Sequence, residues 1–548
     1  MFMEFVLEAC GDIWEWLMGH LLYINLFLSV VIVFFQRRDP KAVWTWLLAL
    51  YFVPIFGFVL YLVLCQDFRK NKMFRVKEVE DRLRYSAKIQ GEGIQNRDNW
   101  FRDPLSRDYE DLVLYNLTTS GAVLTVDNEV DIFTDGEEKF RDLKEELSRA
   151  TQYIHIQYYI IKHDEVFRSM IPILEQKAKE GVEVRILYDG MGGRFMPKRV
   201  WRQLRQSGIK VGVFFPPILG RLHLRVNYRN HRKIVVIDGK VGYVGGFNIG
   251  REYISKDPKF GYWRDTHLKI RGSAVYSLQI RFALDWNYAT KENLFKDARY
   301  FGVVEDVWVE VDEEQWESLC GDSCEDTSEE DELERKKRCG VKPAVRVERR
   351  RMPVLEHVPT PEVFAPHVGI QIINSGPDAS NRQIRNNYLQ LIYNARHHVY
   401  IQTPYFVPDD AVLSALKIAA ESGLDVRLMI PCKPDHPFVY WATYSYIGDL
   451  LEAGARCYTY EDGFIHAKAV MADGLVSCVG TANMDIRSFE LNFEVNATIF
   501  DAEVTEKLEE LFIRDLDHCL EMTKERYEQR GLVIRAKEQC CRLLSPLL

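Results

Sequence analysis

One pattern occurs twice in this chain, and it restricts the possible folds more than any other feature. The first copy runs from His231 through Lys233 and Asp238 to Gly245 and Asn248. The second runs from His466 through Lys468 and Asp473 to Gly480 and Asn483. In both, lysine follows histidine by two residues, aspartate by seven, glycine by fourteen and asparagine by seventeen. A lone His-x-Lys-x4-Asp is a weak signal, but two with matched outlying residues imply an internal duplication.

The residues before each motif repeat as well. Tyr153–Ile160 and Val399–Phe406 read as strands, each followed by a helix-like stretch and a second strand, Glu180–Asp189 and Ser422–Pro431. Strand, helix, strand implies a βαβ unit with a mostly buried sheet. The predicted fold is therefore α/β, with two tandem domains forming a pseudo-twofold pair, over 126–304 and 361–548. Helical spacing in Thr505–Leu548 places Leu508, Leu511, Phe512 and Leu516 on one face, as for a helix packed on the second domain.

The N-terminus is different. Residues 17–35 and 43–65 are two nearly uninterrupted apolar runs, each long enough to cross ~30 Å of hydrocarbon as a helix. Trp14, Trp16, Trp44 and Trp46 lie near their ends, where indoles favour the headgroup layer. Acidic residues precede the first run, unlike a cleaved signal peptide. Residues 1–70 are thus expected to be a two-helix transmembrane segment in the cell membrane. Arg69, Lys70, Lys72, Arg75 and Lys77 favour cytoplasmic catalytic domains; Arg37, Arg38 and Lys41 in the connecting loop oppose that orientation. Residues 71–125 form a charged linker leading into the first domain.

The net charge of −9 looks unsuited to anionic substrates. Residues 310–334, however, hold thirteen acids and no Lys or Arg, which outweighs the whole net charge. A basic run from Arg335 to Arg351 follows. Such blocks bury too little apolar surface to fold alone, so 305–360 is predicted to be a disordered linker. Its basic half could touch anionic headgroups. Cys320, Cys324 and Cys339 lie in this polar stretch with no histidine nearby, which argues against a metal site. Eleven cysteines in a chain of 548 residues do not suggest a disulfide framework.

The motif residues suit phosphodiester exchange. His231 and Lys233 alternate onto one face of a strand, as do His466 and Lys468. Asp238-Gly239 and Asp473-Gly474 read as hairpin turns, returning Asn248 and Asn483 to that face. One histidine can act as a covalent nucleophile and the other as a general acid. Lys233, Lys468, Asn248 and Asn483 can supply donors to phosphoryl oxygens. Each copy holds one such histidine, so a single site between the domains is implied. Each histidine needs a group to fix its tautomer. Asp265 and Glu494, acids that open strands, are the candidates, with Glu252 and Glu490 as competitors. Asp238 and Asp473 fit a turn-forming role as well as a chemical one. Phe214–Leu219, followed by Arg221, His223 and Arg225, reads equally as a bilayer-dipping loop or as a buried strand and turn. No metal or other cofactor is implied by the motifs.

At Asn230–Tyr253, Gly463–Lys468 and Thr481–Glu490, at Arg37–Pro40 and Pro54-x-x-Gly57, and at the terminal Arg542–Leu548, the chain resembles the phospholipase D superfamily and, within it, the bacterial cardiolipin synthases. The resemblance spans essentially the whole length. It implies transfer of a phosphatidyl group from one phosphatidylglycerol to another, releasing glycerol. It also implies that His231, Lys233, Asp238, His466, Lys468 and Asp473 are the active set, with His231 as nucleophile and His466 as acid. The partners implied are phosphatidylglycerol, other anionic phospholipids and the membrane, with no nucleic acid. A phospholipase D-type hydrolase and a phosphatidylserine synthase remain alternatives. A non-catalytic membrane scaffold is a further one, which the two complete motifs oppose. The 310–351 insertion departs from the family pattern.

Overall fold

In the computed structural model, the described residues are 16, 19–33, 40–55, 57–58, 61, 104–216, 227–301, 304–311, 346–353, 368–379 and 381–545. The first half contributes β1 (Leu124–Phe133), β2 (Tyr153–Tyr158), β3 (Glu183–Asp189), β4 (Lys210–Phe214), β5 (Arg229–Asn230), β6 (Ile234–Ile237), β7 (Val241–Gly245), β8 (Tyr262–Arg264) and β9 (His267–Arg271). After a ribbon of β10 (Val304–Val311) and β11 (Arg346–Pro353), the second half contributes β12 (Val368–Ser375), β13 (His398–Gln402), β14 (Phe406–Val407), β15 (Asp425–Pro431), β16 (Arg456–Tyr460), β17 (Gly463–Ile465), β18 (Ala469–Ala472), β19 (Val476–Gly480), β20 (Met484–Asp485), β21 (Asn492–Phe500) and β22 (Cys519–Met522).

One sheet runs through both halves, in the order β22-β16-β15-β13-β18-β19-β21-β12-β1-β9-β7-β6-β2-β3-β4. Apart from β22, this order is the same read inward from either end. The centre is the antiparallel pair β1–β12, with Leu124 opposite Gln371 and Asn128 opposite Val368. The two halves are therefore joined by main-chain hydrogen bonds. Helices cover the sheet, and one apolar cluster draws residues from both halves, including Val236, Ile270, Ile370, Phe493 and Ile499. Strands such as Tyr153-Ile-His-Ile-Gln-Tyr158 are buried throughout because the sheet is covered on both faces.

The Asp-Gly turns form as the sequence predicts. Asp238 and Gly239 have φ of 53° and 67°, and Asp473 and Gly474 have 57° and 67°. Two successive positive φ values make a mirror-image turn whose twist matches the flanking strands. Aspartate tolerates this region and glycine enters it freely.

Three sequence expectations are altered. The linker is not wholly unstructured: β10 and β11 pair antiparallel from Val304↔Pro353 to Val311↔Arg346. The basic stretch thus ends in a strand facing an acidic one; residues 312–345 and 354–367 lie outside the described part. The C-terminal segment is not one helix. Helix Ala502–Leu516 buries Leu508 and Phe512, then β22 adds to the sheet edge and helix Leu532–Leu544 follows. Of the proposed bilayer-dipping loop, Phe214 and Phe215 are buried against Tyr288 and Phe493; residues 217–226 lie outside the described part.

At the N-terminus, residues 19–33 and Pro40–Phe52 are helical. Asn25 Nδ2 donates to the carbonyls of Leu50 and Pro54, tying the two helices together. Among the described residues, no helix is long and apolar enough to cross a membrane. Parts of both apolar runs lie outside those residues.

Candidate active site

Two short strands cross from one half to the other, and they build the site. β5 runs parallel to the start of β21, with Arg229 opposite Asn492 and Asn230 opposite Phe493. Continuing this register sets His231 beside Glu494. On the other side of the pseudo-twofold, β17 runs parallel to β8, with Ile465 opposite Arg264. That register sets His466 beside Asp265. Main-chain bonds fix both alignments: His231 N–H donates to Phe493 O (2.9 Å), and His466 N–H to Arg264 O (2.6 Å).

Each histidine is therefore held by the acid of the opposite half. His231 Nδ1 lies 3.0 and 2.9 Å from the two Glu494 oxygens. His466 Nδ1 lies 2.6 Å from Asp265 Oδ2. Both carboxylates are completely buried and are themselves fixed. Thr481 Oγ1 and Asn492 Nδ2 donate to Glu494, and Thr266 N–H and Trp263 Nε1 to Asp265. A carboxylate on Nδ1 keeps the proton there and leaves Nε2 as the reactive nitrogen. Glu252 and Glu490 do not compete: Lys162 pairs with the first and Arg382 with the second.

His231, His466, Asn248 and Asn483 line one cavity of about 450 Å³, with Tyr159, Tyr253, Trp263, Tyr405, Asp435 and Arg487 among the other wall residues. The Tyr159 ring stands edge-on to His231, and Trp263 packs against His466. Asn248 and Asn483 are buried. Asn248 accepts from Ile160 N–H and donates to Tyr253 Oη, which aims it; Asn483 donates to Asp485. Among the described residues, Asn483 Oδ1 has no hydrogen-bond partner.

Lys233 and Lys468 are buried beside the histidines. Each ammonium donates to the carbonyl of the histidine two residues before it. Burial lowers Lys233 to about 7 and Lys468 to about 8, opposed mainly by Glu494 and Asp265 respectively. Burial also lowers both histidines. His231 is shifted down despite Glu494, while burial and then Lys468 bring His466 to about 4 against the pull of Asp265. For Glu494 and Asp265, burial alone would raise the pKa. The facing histidine and nearby lysine outweigh it and hold both carboxyls below their ordinary values.

The third signature residue lies elsewhere. Asp238 and Asp473 sit at the far ends of β6 and β18 from the histidines. Asp238 accepts from Thr151 N–H and Oγ1, Gln152 N–H and Tyr153 N–H at 2.7–2.9 Å. Asp473 accepts from the N–H groups of Arg396, His397 and His398 at 2.7–2.9 Å. Each clamps its hairpin turn to the start of the neighbouring strand, and neither lines the cavity. This placement is that of the turn-forming alternative.

The motif did not point to the cavity wall. Tyr159 follows Gln157 by two residues and Tyr405 follows Gln402 by three, so the duplication marks them only by a tyrosine near the end of each repeated strand stretch. Trp263 and Arg487 carry no such signal.

Residues 143–258 and 388–516 match the family described as cardiolipin synthase, PLD-like domain, and residues 24–64 match the phospholipase D-nuclease N-terminal family. The chain is 43% identical over 533 residues to the major cardiolipin synthase ClsA of Bacillus subtilis, covering 96% of this chain and 97% of that one. It is 43% identical over 530 residues to a cardiolipin synthase of Listeria monocytogenes, covering 96% and 98%. Among solved structures, a phosphatidylserine synthase from Haemophilus influenzae superposes with a TM-score of 0.54 at 14% identity, covering 81% of this chain and all of that one. That likeness bears on the fold alone.

Proposed function

The chain belongs to the cardiolipin synthase family of phospholipase D-like proteins, and from that premise we propose that it joins two phosphatidylglycerol molecules through a phosphatidyl group carried on His231. It is a phosphatidyltransferase acting on phospholipids. The observation that carries the mechanism is the pair of histidines in one cavity, each with Nδ1 held by a carboxylate and Nε2 left for chemistry.

In the first step His231 Nε2 attacks phosphorus, the bond to the headgroup oxygen breaks, and His466 delivers a proton to the departing glycerol. In the second step His466 takes the proton from the hydroxyl of the acceptor phosphatidylglycerol. That oxygen attacks phosphorus, the phosphorus–nitrogen bond breaks, and cardiolipin leaves. One phosphodiester replaces another, so no high-energy donor is needed. Lys233 and Lys468 set the local potential, while Asn248 and Asn483 offer amide donors. The negative phosphodiester offsets the two lysines and favours the protonated form of His466. Asp238 and Asp473 serve by clamping the hairpins that carry the histidines.

The two N-terminal helices would anchor the chain in the cell membrane, with the catalytic halves on the cytoplasmic side. Leu22, Leu26, Phe27 and Val30 face outward from the first helix, and the match of residues 24–64 to the phospholipase D-nuclease N-terminal family fits the same reading. Anchoring keeps the acceptor lipid at high effective concentration.

Incubating the purified full chain with phosphatidylglycerol vesicles tests the reaction. Cardiolipin and glycerol in equal amounts are expected. Phosphatidic acid without cardiolipin would instead identify a hydrolase, and exchange into phosphatidylserine when serine is supplied would identify the serine-using alternative.

A further inference from the structure

Helix Leu532–Leu544 turns an apolar stripe outward. It packs on helix Pro437–Glu452 through a mixed face, in which buried Cys541 and half-buried Ile534 accompany the polar Glu538 and Arg542. Glu538 is buried against Arg530 (2.9 Å), and Arg542 lies against Asp449 (2.5 Å) and over the Tyr446 ring. The opposite face carries Leu532, Val533, Ala536, Cys540 and Leu543, at helical spacing and all exposed. Leu532, Val533 and Leu543 are 82, 70 and 71% exposed. An amphipathic helix in a soluble domain places its apolar stripe on the core, so an outward stripe implies an apolar covering.

The end of this helix reaches the active-site cavity. Ser545, one residue beyond the helix, lines the cavity and meets Tyr446 Oη at 3.1 Å. Phe438, at the start of the supporting helix, also lines it and is 60% exposed. Arg535 and Lys537 flank the stripe and are exposed.

We propose that helix Leu532–Leu544 and Phe438 dip into the surface of an anionic bilayer, setting the cavity mouth at the headgroup layer. This rests on the phospholipid substrates proposed above. A cavity of about 450 Å³ accepts headgroups, while the acyl chains have to stay in lipid. The mouth must then meet the bilayer, and the surface beside it is the apolar stripe with basic flanks that such contact requires. The helix is a second contact, distinct from the N-terminal segment, and it fixes the orientation of the catalytic halves.

The test places a photo-crosslinking residue at Val533, Leu543 or, as a control on another exposed helix, Lys507, in full-length protein bound to phosphatidylglycerol vesicles. Lipid adducts at 533 and 543, several-fold above those at 507, are expected. Adducts no more frequent than at 507, or a covalent dimer instead of lipid adducts, would overturn the proposal; the dimer would show a second copy covering the stripe. Crosslinking reads contact without turnover, so adducts in a protein that makes no cardiolipin would overturn the substrate reading and leave this one standing. A second measurement uses L532E/V533E/L543E. Turnover of vesicle phosphatidylglycerol should fall about tenfold or more, with less than a twofold change on a short-chain soluble analogue. An equal loss on both substrates would show that the helix merely supports the domain.

Discussion

The crosswise pairing predicts that a residue of the second half controls the nucleophile of the first. Glu494→Gln preserves shape, and a glutamine oxygen can still accept from His231 Nδ1, but the charge is lost. Attack through Nε2 leaves positive charge on the ring, which Glu494 meets at 2.9 and 3.0 Å from a fully buried position. A unit-charge interaction at ~4 Å with an effective dielectric near 20 is worth about 4 kcal/mol, and some remains in the neutral hydrogen bond. A loss of about 3 kcal/mol corresponds to a fall of roughly 100-fold in rate. The pH profile should move in a defined direction. Glu494 raises both His231 and Lys233, so removing it lowers both. The acidic limb, where neutral His231 appears, and the alkaline limb, where Lys233 above its value of about 7 loses its proton, both shift to lower pH. The assay is pre-steady-state release of p-nitrophenol from a phosphatidyl-p-nitrophenol substrate, whose leaving group needs no proton. Glu494→Gln should slow that burst, whereas Asp265→Asn, acting through His466, should slow turnover on phosphatidylglycerol yet leave the burst within about threefold. Equal slowing of the burst in both variants, or a Glu494→Gln rate within threefold of the parent, would refute the division of roles.

Three further outcomes follow from the same geometry. Asp238→Asn should destabilise the fold by about 2 kcal/mol through weakened hydrogen bonds to a lost charge, with little loss of specific activity in the folded fraction, measured by thermal melting and assay. Burial alone would raise Asp238, but backbone donors hold it below its ordinary value; its contribution is present at neutral pH and lost as pH falls through that lowered value, so the variant's stability should depend less on pH in the acid range. Gly246→Ala would drive a Cβ into the Asp265 carboxylate, so it should displace the acid from His466 and reduce turnover on phosphatidylglycerol at least tenfold, whereas Gly454→Ala, a glycine with open space around it at φ +94°, should cost stability alone. Arg264→Ala leaves Asp515 without its buried partner across the halves; a loss of about 3–5 kcal/mol should appear as a lowered unfolding midpoint in denaturant.

The duplication by itself carried a large part of the answer. Matched offsets from His to Asn pointed to paired α/β halves, hairpins turning at Asp-Gly and a single shared site, because each copy supplies only one of the two histidines the chemistry needs. The apolar runs before residue 66 set the N-terminal segment apart by length and hydropathy alone. Local sequence could not say which acid meets which histidine. Asp265 and Glu494 were legible as strand-opening carboxylates, yet their exchange between halves depends on β5 joining β21 and β17 joining β8, contacts between residues more than 190 positions apart. Nor could it separate the two roles of aspartate in the motif. Asp238 and Asp473 recur as faithfully as the histidines because a left-handed turn needs its carboxylate clamp in both copies, and recurrence alone does not distinguish a clamp from a catalyst. The tertiary structure decided those points, because the reach of a carboxylate and the burial that shifts a histidine belong to the assembled halves.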